Sequence, residues 1–410
     1  MTYRHGLESV GYHDLDGRAG FKLALHETEG RFFLYLGSMW EPGFIIVEVT
    51  DPSTPNRVAF VPGPVNTWAI QVQVAEGRMI TGYEHIPPGW GGTSGTPDEG
   101  FAIWDLADPE RPERLGQWRT GSSGTHRNFY DGGRYVFAAA ALPGFSGRVL
   151  AVVDIDDPTA PEMVGTWWYP GQNRGAGESY TVADEFKRTT GGAGLSESIA
   201  LHGGAYRSGD RLYCPWSRGG MVILDISEVA SPRWVSTLSA YPPLGSTCGM
   251  HTVVPLPDRA LAIVNDEAMR DRREEPLNFT ALVDISNEQD PMFLSLFPVP
   301  RVPNGTRHDF FDRGGRFGPH NQHQPQGQPS LQPSGDLVYL TYFNAGLQVY
   351  DISDPRDPRI SGFYIPDDPT ERRGPQPADL VAQVEDVLVD RRGFIYITEK
   401  NSGLTVLAGS

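Results

Sequence analysis

The sequence is poor in cysteine and in positive charge. Cys214 and Cys248 are its only 2 cysteines and form no CxxC pair, so neither a thiolate metal cluster nor a disulfide framework is indicated; a single bridge between them stays open. Lys and Arg number 34 against 51 Asp and Glu, which gives a formal net charge of −17. Because nucleic acids and anionic membranes bind basic surfaces, we expect neither as a partner.

Long apolar runs and common catalytic signatures are also missing. No stretch approaches the ~18 apolar residues that span a bilayer, and the opening MTYRHGLESVGYHDLDG lacks the apolar core of a secretory signal. The motifs GxGxxG, GxxxxGK(S/T) and HExxH do not occur, nor does GxSxG in a strand-turn-helix setting, which argues against nucleotide binding and a serine-hydrolase elbow. We therefore expect a soluble, cytoplasmic protein that acts on a small molecule.

One phrase recurs along the chain and dominates what is present. The 48 glycines and 35 prolines predict many turns, and a short apolar strand followed by Asp-Pro or a similar turn returns again and again. The copies are GFIIVEVTDPSTPN (43–56), GFAIWDLADPERPE (100–113), RVLAVVDIDDPTAPE (148–162), GMVILDISEVASPR (220–233), ALVDISNEQDPM (281–292), GLQVYDISDPRDPR (346–359) and a truncated GLTVLAGS (403–410).

Each copy lies within a unit of four predicted strands. β-Branched and aromatic residues form the strand, and proline turns the chain because it fixes its own φ and biases the preceding residue away from helix. Repetition of such units predicts an all-β fold, a seven-bladed β-propeller spanning residues 1–410 as a single domain. Long loop insertions are expected at about 84–99, 171–195 and 301–335. Two stacked β-sandwich domains are the alternative.

The two ends of the chain complete this pattern. The last unit lacks its fourth strand, and the N-terminal GLESVGYHDL resembles the fourth strands of the other units. We expect the N-terminal strand to join the C-terminal blade and close the ring, since closure removes exposed sheet edges.

Several phrases resemble those of a known family. LHGGAYRSGDRLYCPWSRGGMVILDIS, HTVVPLPDRALAIVNDEA, GGRFGPHNQH and VEDVLVDRRGFIYITEKNSGL are similar to the LVIVD-repeat β-propeller proteins of bacteria and, more distantly, to selenium-binding-protein propellers. The resemblance covers most of the chain and implies a propeller fold and a set of motifs rather than a particular reaction.

Aligning the units on their second strands places histidines at one structural position. The residues that begin the innermost strands, which line the central channel of a propeller, are Lys22, Gln71, His126, His202, His251, His320 and Glu385. Four consecutive members of this series are histidine. Their imidazoles are therefore expected to meet at the channel axis.

Converging imidazoles predict a metal centre. We expect His126, His202, His251 and His320 to hold a divalent transition metal such as Zn, Fe or Mn, because neutral imidazole suits these ions. Whether His320 or its neighbour His323 is the ligand stays open, and the alternative for the whole set is a polar channel lining. Carboxylates that could orient the ring nitrogens are Glu197, Glu267 and Glu385.

The expected function is a metal-dependent enzyme acting on a small organic substrate. The metal would serve as a Lewis acid or activate water, while Glu267, Glu385 or His323 moves a proton, as in a lyase, hydratase, isomerase or hydrolase. Two alternatives remain: a non-haem iron or copper oxidase or oxygenase at the same site, and a binding or scaffold propeller without chemistry. Aromatic residues expected to shape a pocket are Trp68, Trp90, Tyr180, Trp216 and Phe343.

Overall fold

The fold is built almost entirely from β-strands. The computed structural model describes residues 2–179, 199–240, 248–272, 275, 278–303 and 309–410. Helix within these residues is confined to α1 Phe310–Arg313 and to the 3-10 turns Leu15–Gly17, Arg174–Ala176 and Pro257–Arg259. Each of these helical pieces is far too short to span a bilayer.

Twenty-nine strands follow one another along the described chain. In order they are β1 Tyr3–His5, β2 Leu7–His13, β3 Gly20–Thr28, β4 Arg31–Ser38, β5 Gly43–Glu48, β6 Asn56–Pro62, β7 Thr67–Trp68, β8 Val72–Ala75, β9 Arg78–His85, β10 Gly100–Asp105, β11 Glu113–Trp118, β12 Gly124–Phe129, β13 Tyr135–Ala141, β14 Arg148–Asp154 and β15 Glu162–Trp167. They continue with β16 Tyr206–Ser208, β17 Arg211–Pro215, β18 Met221–Asp225, β19 Arg233–Leu238, β20 Thr252–Leu256, β21 Leu261–Asn265, β22 Thr280–Asp284, β23 Met292–Leu296, β24 Leu337–Thr341, β25 Leu347–Asp351, β26 Arg359–Ile365, β27 Val384–Val389, β28 Ile395–Glu399 and β29 Leu404–Gly409.

The strands form small antiparallel sheets. Five sheets have four strands each: β3–β6, β16–β19, β20–β23, β24–β26 with β1, and β27–β29 with β2. A nine-stranded sheet contains β7–β15, and its two halves are joined where Gly124 of β12 pairs with Glu84 of β9. This succession of small sheets is all-β and propeller-like, and it favours the propeller over two stacked sandwiches.

The repeated phrase has a repeated local structure. Its aspartates accept hydrogen bonds from the backbone amide two residues on, as between Asp51 and Ser53 at 2.9 Å and between Asp157 and Thr159 at 2.9 Å. Such turns use the short carboxylate side chain to mimic a backbone turn. A bulge between the third strand and the outermost strand also recurs, for example between Ile103 and Trp104. Bulges increase the local twist of a strand pair, so the recurring bulge gives the sheets a similar twist at this position.

The N-terminal residues pair with strands from the other end of the chain. β2 lies antiparallel to β29, from Leu7 opposite Gly409 to His13 opposite Leu404. β1 pairs instead with β26. The first residues of the chain thereby cover two edges, which would otherwise expose unpaired backbone groups.

Buried apolar clusters lie between consecutive sheets. One cluster joins Phe137 and Leu150 to Leu212 and Val222 of the following sheet. Another joins Leu34 of the first complete sheet to Tyr396 of the last. Strand faces that alternate between two such clusters explain the apolar character of the repeated phrase.

Candidate metal centre

Four histidines from four neighbouring units form a continuous row. Their ring centroids lie 5.0 Å apart from His126 to His202, 4.9 Å from His202 to His251 and 5.0 Å from His251 to His320. His251 and His320 are buried, and the side chains of His126 and His202 are 14% exposed. The structure thus brings together residues that the alignment of the repeats placed at one position.

Backbone hydrogen bonds to the second strand of a unit hold the histidines beside the end of that strand. Three histidine amides donate to carbonyl oxygens at the end of that strand: His202 to Pro215 at 3.0 Å, His251 to Asn265 at 2.8 Å and His320 to Thr341 at 2.9 Å. All three of these histidines lie outside regular strands, yet they keep this hydrogen bond. The prolines and glycines around them therefore do not displace the imidazoles from the row.

Each Nδ1 atom in the row has a polar partner. The partners are Glu84 Oε2 at 2.6 Å for His126, Cys248 Sγ at 3.3 Å for His202, Thr252 Oγ1 at 2.7 Å for His251, and the Glu385 backbone oxygen at 2.9 Å for His320. Engagement of one ring nitrogen fixes the ring and leaves the other nitrogen for a ligand.

The Nε2 atom of His251 is buried and carries a free lone pair. The hydroxyl of Thr252 donates to the backbone oxygen of His320, with Oγ1 3.5 Å away. Because its single proton is used there, Oγ1 accepts a hydrogen bond from Nδ1–H of His251. Nε2 has no hydrogen-bond partner among the described residues. Burial, together with nearby positive groups such as Arg127, holds the pKa of His251 well below its ordinary value, so the imidazole is neutral.

Three Nε2 atoms surround the carboxylate of Glu267. Oε2 lies 3.4 Å from His202 and 3.4 Å from His251, and Oε1 lies 3.7 Å from His320. For His251, whose Nε2 carries no proton, a carboxylate oxygen at this distance is repulsive unless a cation or a proton lies between the two atoms. Ligands about 2.1 Å from a tetrahedral Zn²⁺ are about 3.4 Å apart, which matches the separations found here.

The donor atoms also meet in two overlapping groups. His251, Glu267 and His320 each present a ligand atom within 4.8 Å of the others, and so do His202, Cys248 and Glu267. Burial raises the pKa of the Cys248 thiol well above its usual range, and Glu267 adds to this effect, so the sulfur remains protonated beside His202. Glu267 belongs to both groups and is the carboxylate on which the imidazoles converge.

The carboxylate of Glu385 contacts His320 and Lys400 and helps to orient the imidazole of His320. Its Oε2 lies 3.2 Å from His320 Nδ1, and its Oε1 lies 2.9 Å from the Lys400 ammonium. Burial raises the pKa of Glu385, but Lys400 and His320 outweigh it and bring the value to about 2. A carboxylate this acidic is a weak base at neutral pH, which favours a positioning role, and the proton transfer by Glu385 stays a prediction.

His126 is held by an ion-pair network of its own. Glu84 accepts from His126 Nδ1 at 2.6 Å and from Arg148 at 3.1 Å. Burial raises the pKa of Glu84, but His126 and Arg148 more than offset this and keep the carboxylate charged. Burial also lowers the pKa of His126, so a neutral imidazole donates to a charged carboxylate.

The structure does not bring His323 to the row, which corrects its predicted role. Its Nε2 donates to the carbonyl oxygen of Gln332 at 2.7 Å, and its Nδ1 accepts from the Val389 amide at 3.2 Å. Burial brings its pKa down to about 4, despite the hydrogen bond to Gln332. Both nitrogens are occupied by backbone, so His323 is structural, and His320 is the residue in the row.

The row opens into a cavity of about 250 Å³. His126, His202, His320, Glu267 and Glu385 contribute to its wall. Its apolar side includes Phe21, Met39, Ile70, Trp68 and Trp90. Trp68 and Trp90 therefore have the pocket position expected of them, and Trp90 comes from the predicted loop 84–99.

The other predicted aromatics and loops have mixed outcomes. Phe343 stacks on His320 with centroids 4.8 Å apart, whereas Trp216 is buried against Trp167. Arg316, in the predicted loop 301–335, reaches Glu267 at 3.0 Å. Glu197, Tyr180 and much of the loop 171–195 lie outside the described residues.

Sequence reasoning found Glu267 and Glu385 but missed the other charged residues that surround the histidines. Glu84 and Lys400 lie at the ends of second strands, as the predicted Glu267 does, beside the starts of the innermost strands. Reading the same register at that neighbouring position would have found Glu84 and Lys400. Arg127 follows His126 directly, and the bulge in the pairing of β12 with β13 lets both side chains line the cavity.

Fold and site together define an all-β, propeller-like protein with a buried histidine row. Three segments, residues 144–167, 207–239 and 330–365, match the family model of the LVIVD repeat. The chain thus carries LVIVD repeats, and the resemblance found in the sequence is confirmed.

One solved structure shares the fold at low identity, and a second is similar over nearly the whole chain. The periplasmic gluconolactonase PpgL of Pseudomonas aeruginosa is similar over 100% of both chains, with 12% identity and a TM-score of 0.51. The computationally designed Ika8 protein is similar over 97% of this chain and 98% of its own, with 9% identity and a TM-score of 0.49. No curated protein is similar enough in sequence to count as a match.

Proposed function

We propose that this protein is a metal-dependent enzyme acting on a small organic substrate. The observation that carries the proposal is the convergence of three imidazole Nε2 atoms on the Glu267 carboxylate, at 3.4, 3.4 and 3.7 Å. His202, His251, His320 and Glu267 would hold one divalent ion of the Zn, Fe or Mn type. The cavity beside them supplies room for a substrate of limited size.

Residues around the proposed ion would transfer protons and position the metal ligands. A divalent ion at this position supplies Lewis acidity or an activated water. His126, neutral and held by Glu84, lies next to His202 and lines the cavity, where it is placed to move a proton. Glu385 and Thr252 hold the rings of His320 and His251. This division suits a lyase, hydratase, isomerase or hydrolase.

A redox variant is favoured by one contact. The Cys248 sulfur lies 3.3 Å from His202 Nδ1 and falls in the same donor group as Glu267. Copper prefers a soft sulfur ligand, so copper in the purified protein would point to an oxidase. Zinc would point to the non-redox chemistry, which is why the identity of the metal separates the two.

We also propose that the sheets form seven blades in a closed ring. Support comes from seven buried clusters that each join two sheets or sheet halves, including the cluster shared by Leu34 and Tyr396 at the two ends of the series. The pairing of β2 with β29 gives the last unit its fourth strand. A closed ring brings the starts of the innermost strands to one axis, as the histidine row requires.

Metal analysis tests the function directly. Protein purified without a histidine tag is expected to contain close to one equivalent of a transition metal. His251→Ala removes the most buried ligand and is expected to abolish retention, because three donors remain around a larger gap. His323→Gln is the matched control, since this histidine is buried away from the row. Metal-free wild-type protein that takes up no metal, or equal retention in both variants, would overturn the proposal.

A further inference from the structure

The cavity carries one cation more than its carboxylates can pair. Its lining has four cationic side chains and three carboxylates. Three ion pairs account for six of these groups: Arg148 with Glu84 at 3.1 Å, Arg316 with Glu267 at 3.0 Å and Lys400 with Glu385 at 2.9 Å. The remaining cation is Arg127, which forms no ion pair with any residue that the structure describes.

Arg127 is also buried and only partly hydrogen-bonded. The residue is 6% exposed. Its Nη1 donates to Asn321 Oδ1 at 2.8 Å and its Nη2 to His320 Nε2 at 3.3 Å, while Nε has no acceptor within the described chain. A guanidinium has five N–H donors, so a buried one without a directly paired carboxylate is unfavourable. The carboxylates of Glu267, Asp386 and Glu385 act on Arg127 only from beyond ion-pair distance. The site is therefore short of an anion.

We propose that Arg127 binds the carboxylate of the substrate, and that the substrate is a small monocarboxylic acid with an apolar body. This inference rests on the proposed function, of which it specifies the substrate class. The planar guanidinium matches a carboxylate through two parallel hydrogen bonds. The apolar wall formed by Phe21, Ile70, Met39 and Trp68 receives the rest of the molecule, and about 250 Å³ limits its size.

The hydrogen bond between Arg127 and His320 links anion binding to the metal centre. Arg127 donates to His320 Nε2, the nitrogen that faces Glu267. If His320 Nε2 held an ion, Arg127 would lose this acceptor and would need another. A substrate carboxylate would provide that acceptor next to the histidine row. A divalent ion also adds positive charge to the cavity and strengthens the demand for an anion.

Paired acids and amides test the carboxylate site. Binding of propanoate, 2-methylpropanoate and benzoate is measured by calorimetry beside the corresponding neutral amides, first with metal-free and then with zinc-loaded protein. At least one acid is expected to bind metal-free wild-type protein about tenfold or more tightly than its amide, because only the acid is charged. Arg127→Gln should remove this preference. Arg207→Gln, a partly exposed arginine that does not line the cavity, should retain it.

The outcomes separate this inference from the proposed function. If each acid binds no better than its amide to wild-type protein, the carboxylate site is wrong, and this comparison does not depend on the folding of a variant. An unchanged preference in Arg127→Gln also overturns it. Zinc content measured on the same samples reports the metal site independently. Protein that takes up no zinc yet prefers acids through Arg127 would refute the metal centre and keep the anion site, and the reverse result would do the opposite.

Discussion

At the scale of single residues, the partners of a histidine decide its role. His320 and His323 are three positions apart, and both are buried. The Nε2 atom of His320 is directed toward Glu267, whereas both ring nitrogens of His323 form hydrogen bonds with the backbone of Gln332 and Val389. The sequence could predict that one of the two lies in the row. It could not show which, because the partners come from residues far along the chain.

His323 is expected to make the protein acid-sensitive. Its pKa is about 4 in the folded chain, against the ordinary value of 6.5, because burial disfavours the charged form. Between these values the unfolded chain binds more protons, so the stabilisation is complete above pH ~6.5 and is lost as the pH falls toward ~4. The full difference corresponds to about 3 kcal/mol.

Urea unfolding of metal-free protein at a series of pH values measures this effect. His323→Gln keeps a donor and an acceptor but does not titrate, so the free energy of unfolding should fall less steeply with acid than in wild type. Parallel pH profiles for the two proteins would contradict the assignment.

At the scale of elements, the row depends on close contact between neighbouring chain segments. A Cβ atom on Gly203 would overlap the carbonyl oxygen of His251 and lie 2.8 Å from Cγ of Pro215. Glycine at this position thus lets the segments that carry His202 and His251 approach each other. On Gly204 the nearest atom to such a Cβ is the Asn128 carbonyl oxygen at 3.6 Å, an ordinary contact.

This pair of glycines gives a matched test. Gly203→Ala should push His251 away from His202 and weaken zinc binding about tenfold or more, with a loss of roughly 1–3 kcal/mol in the free energy of unfolding. Gly204→Ala should change both quantities little. Zinc competition titrations measure the first, and urea unfolding measures the second. Equal zinc affinity in the two variants would argue that the spacing of the segments does not govern the site.

The strand repeat made most of this arrangement predictable from the sequence, but the charged residues of the site were harder to predict. The recurring phrase located the sheets, and their alignment located all four histidines of the row. Arg127 and Lys400 were missed because strand patterns mark buried apolar faces, whereas a cavity is formed by the ends of strands and by loops. Arg316 lies in the insertion 301–335, whose path no periodicity specifies.

At the scale of the whole molecule, the proposed closure of the ring would keep the innermost strand starts at one axis. Deleting residues 2–13 would remove β1 and β2 and expose the edges of β26 and β29. We expect this variant to lose several kcal/mol of stability and to aggregate, since open strand edges pair with other chains. Deleting only residues 2–5 leaves β2 in place and should be milder. Size-exclusion chromatography and urea unfolding provide the measurement, and an unaffected 2–13 deletion would count against closure.

Anomalous X-ray diffraction from crystals of the zinc-loaded protein tests the central claim most directly. The account predicts one strong peak about 2.1 Å from Nε2 of His202, His251 and His320 and from an oxygen of Glu267. The exposed group His13, Asp14 and Asp16 offers a competing position for an ion. A peak confined to that group, or none within the histidine row, would contradict the metal centre.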